Sequence, residues 1–167
     1  DKTSIYESHI ELDAKMVEFA DYLMPIHYKN GIQYEYNAVR KDVGLFDVSH
    51  MGVFKVSGSN SEQFLNKLLS NNILKLSNEK AMYTLLCNNN GGVIDDLIIY
   101  KIDNYFILIV NASNKEKIVR WIIAHKKEET NIEDLNKEHS FIAVQGPESL
   151  SKLDHLFHLT LSECSRF

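Results

Sequence analysis

The sequence predicts an α+β layer of the ferredoxin-like type, an antiparallel sheet with helices packed on one face. Three observations carry this. The apolar runs AMYTLLC (81–87), VIDDLIIYKI (93–102) and YFILIVN (105–111) follow one another with only short polar joints. Those joints, NNNGG and Asp103-Asn104, are hairpin signals, so neighbouring runs pair antiparallel. Amphipathic stretches of helical period precede and follow the block, and a further strand opens it, which gives the order β-α-β-β-β-α.

Taken in order, residues 1–45 mix helix-like and irregular segments. In EYNAVRKDVGLFDVS the apolar Ala38, Val39, Val43 and Leu45 recur at roughly helical spacing, and Gly44 is expected to end that helix. MGVFKVSG, from Met51, alternates as a strand, with Gly58 opening a turn. SNSEQFLNKLLSNN is a helix with Phe64, Leu65, Leu68 and Leu69 on one face; Ser59 with Glu62 forms a capping box and Asn71-Asn72 the stop. After the three strands, NASNKEKIVRWIIAHKKE is a helix capped by Ser113 with Glu116 that buries Ile118, Trp121 and Ile122. FIAVQG (141–146) is another strand, and Pro147 opens the helix ESLSKLDHLF at its first position. LTLSECSRF looks like the lead into one more strand, so the chain is expected to be a fragment.

Composition narrows the class. With 167 residues, 44% of them apolar, the chain can build one ordinary core or two small ones. A formal charge of −5 argues against phosphate-backbone binding, and the Lys126-Lys127 pair is offset by Glu128-Glu129, a solvated helix end. Cys87 and Cys164 lack a CxxC pattern and read as packed thiols, and no apolar segment is long enough to span a bilayer. The expectation is a cytoplasmic protein with no nucleic-acid or membrane partner.

Two adjacent aspartates, Asp95 and Asp96, stand at the front of the most apolar strand. Side chains alternate along a strand, so the two are expected on opposite faces, not as a converging pair. Both faces of this strand are apolar, which predicts an inner strand with cover on each side. If Asp103-Asn104 is a two-residue turn, Ile102 pairs with Tyr105, Tyr100 with Ile107 and Ile98 with Ile109, and Asp96 lies opposite Asn111. One face then carries Asp96, Ile98, Tyr100, Ile107, Ile109 and Asn111, an apolar platform with a few polar groups, as small-molecule sites have. A three-residue turn would instead set Asp95 opposite Asn111. A local reading also stands: one aspartate caps the Gly-Gly turn, and Asn111 caps the next helix. His50 is weighed as an acid or base against a hydrogen-bonded structural role, which is the commoner case.

The runs LFDVSHMG (45–52), GGVIDDLIIYK (91–101), IVNASNKEK (109–117) and FIAVQGP (141–147), with the opening IYESHIELDAKMVEFADYLMPIHY, resemble the aminomethyltransferases. These are the T-proteins of the glycine cleavage system. The similarity extends to about residue 150, and four motifs in order at family spacing carry it. Ala20-Asp21-Tyr22 stands where Ala-Gly-Trp is usual. The resemblance implies transfer of a one-carbon unit from the aminomethyl-dihydrolipoyl arm of H-protein to tetrahydrofolate, with release of ammonia and no metal. It implies Asp96 as the catalytic carboxylate beside the reacting folate nitrogens, and Met51, Tyr83, Ile107, Ile109 and Asn111 as folate contacts; Tyr100 joins them by its facing. It also implies a discontinuous first domain, residues 1–50 with an incomplete return at 139–167, interrupted by the inserted α+β domain at 51–138. Exposed apolar surface is expected where further parts of such a protein would pack. Two alternatives remain open: a folate-binding relative such as a demethylase or iron–sulfur assembly factor, or a truncated module that docks H-protein without turnover.

Overall fold

The computed structural model describes residues 1–126 and 128–161; Lys127 and Cys164 lie outside the described residues. The chain divides into two units, Asp1–His50 joined by the segment from Ser140, and Met51–His139.

The first unit opens with α1 (Tyr6–Glu11), β1 (Lys15–Phe19) and β2 (Tyr22–His27), then α2 (Ile32–Lys41) and β3 (Gly44–Asp47). The second contains β4 (Gly52–Ser57), α3 (Ser61–Leu68), β5 (Ala81–Cys87), β6 (Val93–Ile102), β7 (Tyr105–Val110), α4 (Lys115–Ala124) and β8 (Asn131–Asp134). The chain then returns to the first unit with β9 (Ile142–Gln145) and α5 (Ser149–Phe157).

In the first unit β1 and β2 form a hairpin across Ala20 and Asp21, whose φ values of 49° and 64° are those of a tight left-handed turn. Asp tolerates that conformation better than most residues, which explains how it can occupy a position suited to glycine. β3 pairs antiparallel with β9, and Leu45, Phe46 and Ile142 on this ribbon are exposed. Three polar side chains meet at the end of β3. His9 is buried; its Nδ1 is 2.8 Å from the Tyr28 hydroxyl and its Nε2 is 3.0 Å from Asp47 Oδ2. Burial by itself pushes the Asp47 carboxyl upward, but hydrogen bonds from His9 and from the side chain and backbone N–H of Ser49 outweigh it and hold the group below the ordinary carboxylate range.

The second unit is a five-stranded antiparallel sheet in the order β5-β6-β7-β4-β8. Alternate residues face α3 and α4: Phe54 and Val56 of β4, Leu97 and Ile99 of β6, and Phe106, Leu108 and Val110 of β7 are buried against Leu65, Ile118 and Ile122. Each such side chain contributes about 1.5–3 kcal/mol by leaving water. The predicted α+β layer is therefore what the chain forms, with its helices on one face of the sheet.

Several local expectations need correction. The hairpin β1–β2 lies in the region expected to mix helix-like and irregular segments, and the edge strand β8 adds to the predicted order, because Pro25 and the polar sequence NIED hide the alternation. α2 ends at Lys41, so Val43 and Leu45 are outside it; Gly44 begins a strand. Ser59 is not a cap: α3 starts at Ser61, and the Ser59 hydroxyl donates to the Glu129 carboxylate. Ser113 lies in a single 3₁₀ turn, and α4 begins at Lys115 after Asn114. α5 begins two residues after Pro147, since Gly146, at φ 127°, sends the chain past Asp42, whose carbonyl accepts from Glu148 N–H at 3.1 Å. Among the described residues no helix is long and apolar enough to cross a membrane.

Candidate functional site

The turn between β6 and β7 has two residues, and the ladder runs Ile102 to Tyr105, Tyr100 to Ile107 and Ile98 to Ile109. On the neighbouring strands Tyr83 pairs with Ile98 and Val53 with Ile109. Because each partner repeats the same facing, Tyr83, Ile98, Tyr100, Ile107 and Ile109 share the sheet face turned away from α3 and α4. Ile98, Tyr100, Ile107 and Ile109 are half-buried and Tyr83 is 59% exposed. Cover on both sides of β6 is thus not what the unit itself provides: its helices close one face and leave this one partly open.

Asp96 stands at the end of that open face, opposite Leu85 of β5. The Tyr83 phenol is raised above its ordinary value, first by hydrogen bonding toward the Asp96 carboxylate, then by burial and by the charges of Asp96 and Asp95. On the other side Asn111 Nδ2 donates to Asp96 Oδ1 at 3.2 Å and to the Asp96 main-chain oxygen at 3.3 Å. The same nitrogen lies 3.1 Å from Asp95 Oδ1.

That last contact adds a link that strand alternation alone does not give. The two aspartates leave β6 on alternate sides, with Asp95 toward the face of Leu97 and Ile99, yet they share one donor. Asn111 follows the last ladder pair, Leu97 with Val110, so its side chain is free of the strand's alternation. Contact with the Asp96 carbonyl puts its amide near the sheet plane, from which carboxylates on either side are within reach. Asp95 Oδ2 is buried without a hydrogen-bond partner among the described residues.

The local reading fails too. The Gly-Gly turn is held by Asn88, whose Oδ1 accepts from the N–H groups of Asn90 and Gly92, each at 2.9 Å. Asn111 makes no side-chain cap to the turn that follows it.

Met51 lies just before β4, whose Gly52 pairs with Val110. Asn136 fixes this entry: its Nδ2 donates to the Met51 carbonyl at 2.9 Å, and its Oδ1 accepts from Val53 N–H at 2.8 Å and Lys115 Nζ at 3.2 Å. No local signal points to Asn136, which joins positions 85 residues apart, whereas Tyr83 and Asp96 are diagonal neighbours that strand facing could have found.

His50 differs from its expected hydrogen-bonded role. Its Nδ1 is buried with no hydrogen-bond partner among the described residues, and the ring packs edge-on to Phe19 and Tyr22 at centroid distances of 5.6 and 6.3 Å. Burial lowers its proton affinity below the usual histidine value. Among the described residues no group of three or more His, Cys, Asp or Glu could hold a metal.

An apolar half-open face with one oriented carboxylate at its end suits a planar ligand that carries basic or hydrogen-bearing nitrogen. Comparison with known proteins bears on which. A family profile described as the GCVT N-terminal domain matches residues 5–166. Curated aminomethyltransferases from two strains of Staphylococcus epidermidis are each 42% identical over 168 residues, 99% of this chain and 46% of theirs. The crystal structure of glycine cleavage system aminomethyltransferase T from Bartonella henselae superposes with a TM-score of 0.91 at 30% identity, covering 98% of this chain and 45% of that one. The chain thus spans about half the length of the curated relatives it matches. On the strength of the profile match, which takes in nearly every residue, the chain belongs to the GCVT N-terminal domain family.

Proposed function

We propose that this chain supplies the catalytic carboxylate and part of the folate-binding surface of a tetrahydrofolate-dependent aminomethyltransferase. In this reaction the one-carbon unit leaves the aminomethyl-dihydrolipoyl arm of H-protein, ammonia is released, and 5,10-methylenetetrahydrofolate forms. The observation that carries this reading is Asp96, held between Tyr83 and Asn111 at the end of the open apolar face.

Each residue has a task that follows from its chemistry. Ile98, Tyr100, Ile107 and Ile109 give a flat apolar support on which a fused ring can lie, and Met51 borders the same end of β4. Asp96, as an ionised carboxylate, only accepts hydrogen bonds; beside the folate nitrogens it would orient an N–H and stabilise positive charge developing on the transferred carbon. Asn111 is neutral, so it fixes that carboxylate without quenching its charge. Tyr83 does the same from β5. No residue in this set asks for a metal.

The test is tetrahydrofolate binding to this chain followed by NMR, with turnover measured on a chain extended to the length of its relatives in the presence of lipoylated H-protein. The reading expects shifts at Ile98, Ile107, Ile109 and Asn111 and glycine-dependent formation of methylenetetrahydrofolate. Binding without turnover in the extended chain would favour a docking module; product formed from a methylamine donor in place of H-protein would favour a demethylase.

A further inference from the structure

Asp95 sets a carboxylate on the helix side of β6, opposite Leu86 of β5 and in line with the buried Leu97 and Ile99. Packing gives no reason for an acid there. Its Oδ2 is buried without a hydrogen-bond partner among the described residues, whereas an apolar side chain of similar size would leave no acceptor unsatisfied. Its Oδ1 gives the reason. That oxygen lies 3.1 Å from Asn111 Nδ2 and is the nearest of the nitrogen's three acceptors. We propose that Asp95 is a positioning residue, which aims the Asn111 amide and through it holds the Asp96 carboxylate at the end of the open face. This rests on the catalytic role proposed for Asp96.

The backbone explains why an anchor is needed. Asn111 lies past the last ladder pair, Leu97 with Val110, and makes no side-chain cap to the turn that follows. Neither strand pairing nor capping therefore fixes where its side chain points. Its contacts do. Carboxylates and a main-chain carbonyl only accept, so the end of the amide that meets Asp95 and Asp96 is the NH2 group.

An NH2 group has two hydrogens for these three acceptors. Asp95, at 3.1 Å, takes one; the Asp96 carboxylate and carbonyl, at 3.2 and 3.3 Å, share the other. With the first hydrogen held on the helix side of the strand, the amide cannot turn about its Cβ–Cγ bond without breaking that contact. The second hydrogen thus stays aimed at Asp96. Because it is shared, it leaves lone pairs of the Asp96 carboxylate open to an N–H of the ligand. The acid on one face of β6 thereby orders the acid on the other.

The test is a double-mutant cycle on turnover, in a chain extended to the length of its relatives, with lipoylated H-protein and saturating tetrahydrofolate. Asp95→Leu is expected to lower kcat about tenfold, and Asp95→Asn, which keeps Oδ1 as an acceptor, to retain about half or more. In an Asn111→Ala background Asp95→Leu is expected to have no further effect, since the amide it aims is gone. A residue that only packed would cost the same in both backgrounds. In the 167-residue chain without folate, Asp95→Leu shifts the Asn111 side-chain NH2 resonances of a ¹H–¹⁵N spectrum and Asp95→Asn shifts them less. Should Asn111→Ala not fold, the contrast between Leu and Asn and the spectrum still decide. The proposal is overturned if Asp95→Leu turns over like the parent, if its cost persists in Asn111→Ala, if Asp95→Asn is impaired as much as Asp95→Leu, or if the NH2 resonances do not move. The reading of Asp96 fails differently: Asp96→Asn would then turn over like the parent, while Asp95→Leu still moved the resonances.

Discussion

The Asn111 amide nitrogen lies 3.2 Å from Asp96 Oδ1 and joins the end of β7 to the carboxylate that begins the open face of β6. The same nitrogen is 3.1 Å from Asp95 Oδ1. Two acids in sequence thus depend on one neutral donor, and a carboxylate that loses its donor in a half-buried site pays the cost of desolvation unrelieved.

Asn111→Ala is therefore expected to destabilise the chain by about 1–3 kcal/mol, since it leaves two acceptors unsatisfied at once. Asn111→Asp is expected to be worse, because it sets a third negative charge against the first two. Urea unfolding of the three proteins checks both statements. A loss for Asn111→Ala within error of zero would mean that water replaces the amide freely.

Tyr83 reports the charge on Asp96. Its phenol is raised first by the hydrogen bond to that carboxylate and then by burial and the two nearby acids, all of which disfavour phenolate. Following the labelled Tyr83 ring by NMR through alkaline pH should show it ionising above an ordinary tyrosine. Asp96→Asn should bring the midpoint back down, whereas Lys137→Glu should not. An Asp96→Asn midpoint equal to that of the parent would dissolve the contact.

The His9–Asp47 pair makes a pH-dependent contribution to the first unit. Asp47 is held below its ordinary value by hydrogen bonds from His9 and Ser49 against the opposing effect of burial. A carboxyl lowered on folding stabilises the folded state above its unfolded value, and that stability is lost as pH falls through the folded one. Asp47→Asn should accordingly cost most at neutral pH, and the difference from the parent should shrink in acid below the ordinary aspartate range. Parallel stability curves across that window would contradict the assignment.

Much of this was readable from residue order. The β6–β7 register followed from the two-residue turn at Asp103, which takes a positive φ of 48°, and from it the shared facing of Tyr100, Ile107 and Ile109. Which face of β7 meets the helices was not legible, since YFILIV is apolar throughout and only the folded chain separates its buried from its half-buried residues. What escaped has physical reasons. The β1–β2 hairpin turns on Ala20 and Asp21, neither a strong turn signal, and most of its residues are not buried. β8 is an edge strand whose Glu133 and Asp134 pair with Lys55 and Lys115 at 3.7 and 3.6 Å, so its charges look like loop. The sharing of Asn111 between two aspartates lies beyond the ladder, where strand alternation no longer governs direction. The His9, Tyr28 and Asp47 cluster joins three separate elements and has no local signature.

The central claim is that the Asp96 carboxylate acts on the one-carbon transfer. Its most direct test is the turnover of Asp96→Asn in a chain extended to the full length of its relatives, with lipoylated H-protein and tetrahydrofolate saturating. The account predicts a fall by a factor on the order of ten or more with the unfolding midpoint retained. Turnover equal to that of the parent, in a protein that binds folate normally, would contradict it.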